Sequence, residues 1–230
     1  ARGGSAGGDG GFAEVSGKQN LVFRGTADLT AAEGSIGTIL FDPRNVQIIN
    51  GGSSPVGCCD QFAENAGSLS QIDASSINDL NANVTLQANS DLSIVEAIAM
   101  TVNGVGLTLQ AGRNVDILRN ITTNNGAITI TANDAGATAG DRDSGLGNLT
   151  MATGTTLNSG TGAITLTLDA GSSTTAGDAV GSINARGLTS TGNVTLNVSV
   201  DPNGDGAATR DIVFNNALTG IAILKITNAD

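Results

Sequence analysis

The chain has no histidine, no tryptophan and no tyrosine, with five phenylalanines, three prolines and two cysteines in 230 residues. Each shortage closes off a class of protein. Without histidine the usual general base is missing, and with it Ser/His and Cys/His nucleophilic sites. The common zinc and haem centres lose a customary ligand as well. Aromatics at 2% leave little bulky material for a conventional globular core. Positive charge is scarce too, since 10 Lys and Arg against 21 Asp and Glu leave a net −11. Nucleic acid and anionic membrane surfaces both need a basic footprint, so neither is an expected partner. No apolar run approaches the ~18 residues of a membrane-spanning helix. The start, Ala1-Arg2-Gly3-Gly4, has neither an initiator Met nor an apolar signal core, as expected of a mature piece or a fragment of something longer.

What is present is glycine, at 33 residues, with abundant Ser, Thr, Asn and Asp. Such compositions often fail to order, but hydrophobic residues make up 39% of the chain. They are mostly Val, Ile, Leu and Ala in short alternating runs, the pattern of half-buried strands. Five segments share an apolar-Thr-apolar core: Val84-Thr85-Leu86, Leu107-Thr108-Leu109, Ile128-Thr129-Ile130, Ile164-Thr165-Leu166 and Val194-Thr195-Leu196. Their first residues are 23, 21, 36 and 30 positions apart, which reads as the coil of a solenoid, twice with insertions.

One coil shows the plan. Val84 to Leu86 is followed by Asn89-Ser90, then Leu92-Ser93-Ile94, then Ala97 to Val102, then a turn at Gly104. That is three short strands per coil, and the next coil repeats it with Leu107/Leu109, Val115-Asp116-Ile117 and Ile121. Side chains alternate across a strand, so the outer members of each triplet point inward and the Thr points to solvent. Stacked coils then place aliphatic residue on aliphatic residue, a narrow core that needs no aromatics. The expected fold is all-β, a right-handed parallel β-helix, the hand following from the rule for parallel crossovers. At a strand spacing of about 4.8 Å, roughly nine or ten coils make a rod of about 45 Å. A β-sandwich also has many short strands, but does not explain a constant Thr at coil-like spacing. The chain reads as one solenoid over residues 1–230: Phe-containing coils at 1–56, a Cys-containing loop at 57–66, and Thr-anchored coils at 67–230.

The N-terminal coils carry three phrases: Gly11-Phe12-Ala13-Glu14-Val15-Ser16-Gly17-Lys18, Phe23-Arg24-Gly25-Thr26-Ala27-Asp28 and Gly37-Thr38-Ile39-Leu40-Phe41-Asp42-Pro43. Over about residues 10–49 these resemble filamentous-haemagglutinin-like large exoproteins, which are exported by two-partner secretion in cyanobacteria and other Gram-negative bacteria. The resemblance implies a secreted or cell-surface location, adhesive or fibre-forming roles and an outer-membrane transporter as partner. It brings no catalytic residues.

The additional residues of the long coils fall at 133–147, 171–181 and 201–211, each after the first strand of its coil. They should emerge from one corner and collect Asp134, Asp141, Asp143, Asp178, Asp201, Asp205 and Asp211 there, as a binding face or as a solvated fringe that keeps the rod soluble. Asp201-Pro202-Asn203-Gly204-Asp205-Gly206 matches the start of an EF-hand-type calcium loop, with oxygen ligands at its first, third and fifth positions and Gly at the sixth. The twelfth position is Ile212 instead of a bidentate Glu, with Asp211 adjacent. Candidate calcium ligands are therefore Asp201, Asn203, Asp205 and Asp211, the alternative being a plain Pro/Asn/Gly turn. Cys58 and Cys59 are adjacent, which leaves a strained vicinal disulfide, an interchain bridge or two free thiols.

Three functions compete. The leading expectation is a non-enzymatic structural or adhesive solenoid, whose partners are further coils, other copies stacked end to end, or a surface receptor or polysaccharide. Ile221-Ala222-Ile223-Leu224-Lys225-Ile226 starts another coil without a cap, so this end must be continued or covered. An ice-binding solenoid is the second, because Thr85, Thr108, Thr129, Thr165 and Thr195 should form a column, beside a mixed column of Gln87, Gln110, Thr131, Thr167 and Asn197. A polysaccharide-active enzyme is the third. It would need clustered carboxylates with a positioned cation, for which Arg142 between Asp141 and Asp143, or Arg210 beside Asp211, are the candidates.

Overall fold

The structure, a computed structural model, describes residues 2–17, 21, 23, 25–51, 69–172, 180–199, 211–215 and 218–228. The first turns of chain contain β1 (Phe12–Gly17), β2 (Thr38–Pro43), β3 (Asn45–Ile49), β4 (Leu69–Asp73) and the short helix α1 (Ala74–Asn78). From there each coil contributes three strands. They are β5 (Asn83–Ala88), β6 (Leu92–Ile94) and β7 (Ile98–Ala99), then β8 (Leu107–Ala111), β9 (Val115–Ile117) and β10 (Ile121–Thr122). The next coil has β11 (Ile128–Ala132), β12 (Gly147–Met151) and β13 (Thr156–Asn158), and the one after it β14 (Ile164–Leu168), β15 (Val180–Ala185) and β16 (Gly187–Thr189). The last are β17 (Asn193–Val198), β18 (Ile212–Phe214), β19 (Leu218–Thr219) and β20 (Ile223–Asn228).

These strands stack into three parallel sheets. The first is β1-β2-β5-β8-β11-β14-β17-β20, the second β18-β15-β12-β9-β6-β3-β4, and the third β19-β16-β13-β10-β7. The fold is a parallel β-helix, and parallel pairing of all the named strands excludes the sandwich. Among the described residues the first sheet has eight strands, against the nine or ten coils expected. The reason is that early coils are long: Phe12, Thr38 and Asn83 occupy one column although 26 and 45 residues separate them.

Register turns the alternating sequence into columns. Ile39, Val84, Leu107, Ile128, Ile164 and Val194 form one, and Phe41, Leu86, Leu109, Ile130, Leu166 and Leu196 the next. The second sheet adds Ile48, Ile94, Ile117, Met151 and Ala185, and the third Ile98, Ile121, Leu157 and Leu188. All of these are buried in a single cluster. Phe23 meets Phe41 edge to face at 4.8 Å at the N-terminal end of the column, while Phe214 stands in β18 at the other end.

The corner between the third and first sheets is so tight that side chains must be removed from it. A Cβ on Gly126 would lie 1.7 Å from the Val105 carbonyl oxygen. Buried hydroxyls satisfy the carbonyls there: Thr123 Oγ1 donates to Gly126 O at 2.5 Å, and Ser159 Oγ and Ser190 Oγ both donate to Gly162 O at 2.6 Å.

The N-terminal end departs from a simple ascending spiral. β4 follows β3 in sequence yet pairs on the side of β3 away from β6, so the chain steps back one level before resuming. α1 then takes the place of a third-sheet strand. Asp73 caps it, accepting from the Ser75 N–H at 2.8 Å, and Ile77 is buried beneath it. Leu21 N–H donates to the buried Ser70 Oγ at 2.7 Å, closing the second sheet below β4.

Candidate functional site

The loops after β11, β14 and β17 all run from the first sheet to the second, hence along one corner. This corner has an internal support that begins with the residue preceding each inward apolar residue of the second sheet. Asp91 N–H donates to Asn45 Oδ1 at 2.9 Å, Asn114 N–H to Asp91 Oδ1 at 3.2 Å, and Asn148 N–H to Asn114 Oδ1 at 3.0 Å. Ser182 N–H donates to Asn148 Oδ1 at 3.0 Å, and Asp211 N–H to Ser182 Oγ at 3.3 Å. Each side chain thus satisfies the backbone of the coil above it, coupling six levels in series.

On this ladder sits a charge cluster. Arg113 Nε donates to Asp91 Oδ1 at 2.8 Å, and its Nη2 contacts Asp91 Oδ2 as well. Burial pushes the Asp91 carboxyl up, but the bonds and charge of Arg113 and the bonds from Asn114 outweigh it, leaving the group below the usual carboxylate range. Asp143, on the loop after β11, accepts from Arg44 Nη2 at 3.0 Å and from Ser90 Oγ at 3.0 Å, with Arg113 Nη2 at 3.9 Å. The loop therefore folds back against earlier coils instead of projecting into solvent.

Arg142 anchors that loop from inside. It is only 8% exposed, and its guanidinium donates to Gly112 O at 2.7 Å, Asp143 O at 2.8 Å, Gly145 O at 2.8 Å and Asn133 Oδ1 at 3.0 Å. The sequence offered Arg142 as a catalytic cation. Its geometry is that of a structural bolt, because every one of these acceptors is a carbonyl or carboxamide oxygen of the chain itself.

Where the loop passes the first sheet, a cleft of about 260 Å³ opens, lined among others by Asp42, Gln87, Asn89, Gln110, Asp134 and Thr138. Gln87 Nε2 donates to Gln110 Oε1 at 2.9 Å, and Gln110 Nε2 to Asp134 Oδ2 at 3.0 Å, which fixes both carboxamides. Burial, followed by the nearby Glu14 charge, raises the Asp42 carboxyl above its ordinary value. The lining can accept hydrogen bonds from hydroxyl or ammonium groups. Among the described residues no Lys or Arg lines it.

The face of the first sheet is built differently. Thr85, Thr108, Thr129, Thr165 and Thr195 stand in register, as the anchor spacing implies. Beside them run Gln87, Gln110, Thr131, Thr167 and Asn197. Only the coils of β11 and β14 place two Thr side by side.

Among the other sequence candidates, Asp134, Asp141 and Asp143 lie on the described loop, and Asp211 is the exposed last rung of the ladder. Asp201, Asn203 and Asp205 of the calcium motif lie outside the described residues, as do Asp178, Arg210, Cys58 and Cys59. Among the described residues no group of three or more acidic or Cys side chains is placed to hold a metal ion. No helix is long and apolar enough to cross a membrane. Sequence reasoning missed the ladder and Arg44, although the ladder had a signal: a polar Asn, Asp or Ser directly before Val46, Leu92, Val115, Leu149, Ile183 and Ile212. Comparison of the chain with known protein families, curated proteins and solved structures finds no match.

Proposed function

We propose that the protein is a non-enzymatic structural and adhesive rod of the cell exterior, a segment of a surface exoprotein or a filament subunit. The observation that carries this reading is the unbroken aliphatic column, along which all three sheets add strands in register. A solenoid of this kind can lengthen indefinitely while its outer faces vary. The resemblance of residues 10–49 to secreted exoproteins points the same way, as does the absence of His, Tyr and Trp. Calcium held by Asp201, Asn203, Asp205 and Asp211 would tie the last long loop to the ladder through Asp211; titration calorimetry with and without Asp205→Ala tests that part.

Adhesion is tested with beads coated in the native chain, scored for attachment to bacterial and host cells and to polysaccharide films. Attachment by native but not denatured protein supports the proposal. Release of reducing sugar from polysaccharides would replace it with an enzymatic function. The paired Thr129/Thr131 and Thr165/Thr167 favour ice binding as a second reading. Thermal hysteresis in solution would establish that reading, and its absence would remove it.

A further inference from the structure

Among the described residues the first sheet is bounded by β1 and β20, neither of which has a further strand on its outer side. Both are six residues long. Register carried through the sheet puts Phe12 in the column of Ile223, Ala13 in that of Leu224, Glu14 in that of Lys225 and Val15 in that of Ile226. The columns are complementary at their ends. Leu224 and Ile226 continue the two core columns but are 42% and 50% exposed, while Ala13 and Val15 occupy the same columns at the opposite edge. Phe12 and Ile223 form a second apolar pair, exposed by 63% and 59%. The Thr column itself ends in an acid at one edge and a base at the other, Glu14 and Lys225, and neither has an ion-pair partner among the described residues.

The ends also fit as steps. β20 has no counterpart above β18 and β19, so the first sheet rises one strand higher than the other two. At the other end the segment 3–10 underlies the third side, with Gly3 N–H donating to Thr30 O and Gly10 N–H to Ser35 O, both at 2.9 Å. There β1 is set back where β20 projects.

We infer that β20 of one copy pairs with β1 of a second copy, parallel and in register, continuing the first sheet from molecule to molecule. The inference rests on the reading of the protein as a structural rod. Pairing satisfies the open backbone groups of both edges, covers Leu224 and Ile226 with Ala13 and Val15, and sets Glu14 opposite Lys225. A tail-to-tail contact would instead bring two Lys225 to one seam with no acid between them. Because the contact is heterologous, it repeats without closing and yields fibres.

Sedimentation velocity and negative-stain microscopy of the 230-residue chain over a concentration series test it. End-to-end rods are expected, with length in multiples of the monomer. Glu14→Lys and Lys225→Glu should each weaken association about tenfold or more, since each sets like charges across the seam. Mixing the two variants opposes unlike charges at every mixed seam, so it should restore fibres in which the two alternate, and the double swap should restore fibres of a single component. Unchanged circular dichroism shows that the variants fold. Monomers at all concentrations, or association indifferent to the swaps, overturn the inference. A monomeric chain that still adheres leaves the adhesive reading standing, so the two failures are separable.

Discussion

The face of the first sheet and the corner beside it share the same coils but are held by different physics. On the face, five successive coils repeat the same local solution: an outward Thr flanked by inward aliphatics, in register with the coils above and below. At the corner, groups far apart in sequence are tied together. Arg44 reaches Asp143 across 99 residues, and Arg142 closes the loop on four separate oxygens. The difference teaches that a solenoid obtains its length from repetition and its individual character from insertions that break the repetition. A change on the face should therefore be felt according to which way the side chain points, whereas a change at the corner should be felt according to how many partners it holds.

The largest expected effect lies directly under the face. Ile130 is fully buried between Leu109 and Leu166, and Ile130→Ala should cost about 3–4 kcal/mol in guanidinium unfolding. A loss below ~1 kcal/mol would mean that the column is loosely packed. Next comes the bolt. Arg142→Met keeps the length of the side chain but strips the donors from four acceptors, three of them within 133–147. About 2–3 kcal/mol should be lost, and amide exchange should quicken over 133–147 while β8 and β11 stay protected. Uniform quickening along the rod would show that the loop is not an independently held unit.

The fold was largely legible and the corner largely was not. Alternation along a strand has a period of two, and the anchor spacing fixed which triplets stack, so the three sides and the Thr column could be read from Val84 to Leu196. Alternation does not say which level a strand occupies, which is why the step back at β4 left no trace. α1 was hidden for a related reason: Asp73-Ala74-Ser75-Ser76 is a capping sequence among many Ser/Asp turns, and only the burial of Ile77 distinguishes it. The acids on the insertions were visible as residues, but not what faces them. Ion pairs between residues such as Arg44 and Asp143 depend on how a loop folds over the rod, and no periodicity encodes that. The ladder lay between these cases, since its polar residue before each second-sheet core position repeats like the Thr anchor but in several residue types.

A smaller effect separates charge from hydrogen bonding within the corner. Asp91→Asn keeps an oxygen for the Asn114 N–H but removes the charge that faces Arg113 and the acceptor of its Nη2. With the Asp91 side chain 30% exposed, solvent screening limits the loss to about 1 kcal/mol at pH 7. Because folding lowers this pKa, the contribution is full above the unfolded carboxylate value of about 3.9 and drains away as acid protonates the folded state. The stability curves of the variant and the parent should therefore converge below about pH 4. A constant gap would assign the loss to the ladder bond.

The smallest change is expected one residue from the largest. Thr129 stands beside Ile130 but points outward, and its hydroxyl makes no side-chain hydrogen bond among the described residues. Valine has the same branched shape and strand preference, so Thr129→Val should stay within about 0.5 kcal/mol of the parent in the same guanidinium titration. A loss of more than ~1 kcal/mol would mean that the Thr column is a cooperative hydroxyl array that stiffens the rod, and the face would then resemble the corner after all. If instead the two neighbours differ as expected, the column is free of structural duty. Its composition is then open to selection by whatever the rod touches, and the middle five coils, all Thr at this position, become the stretch in which to look for that contact.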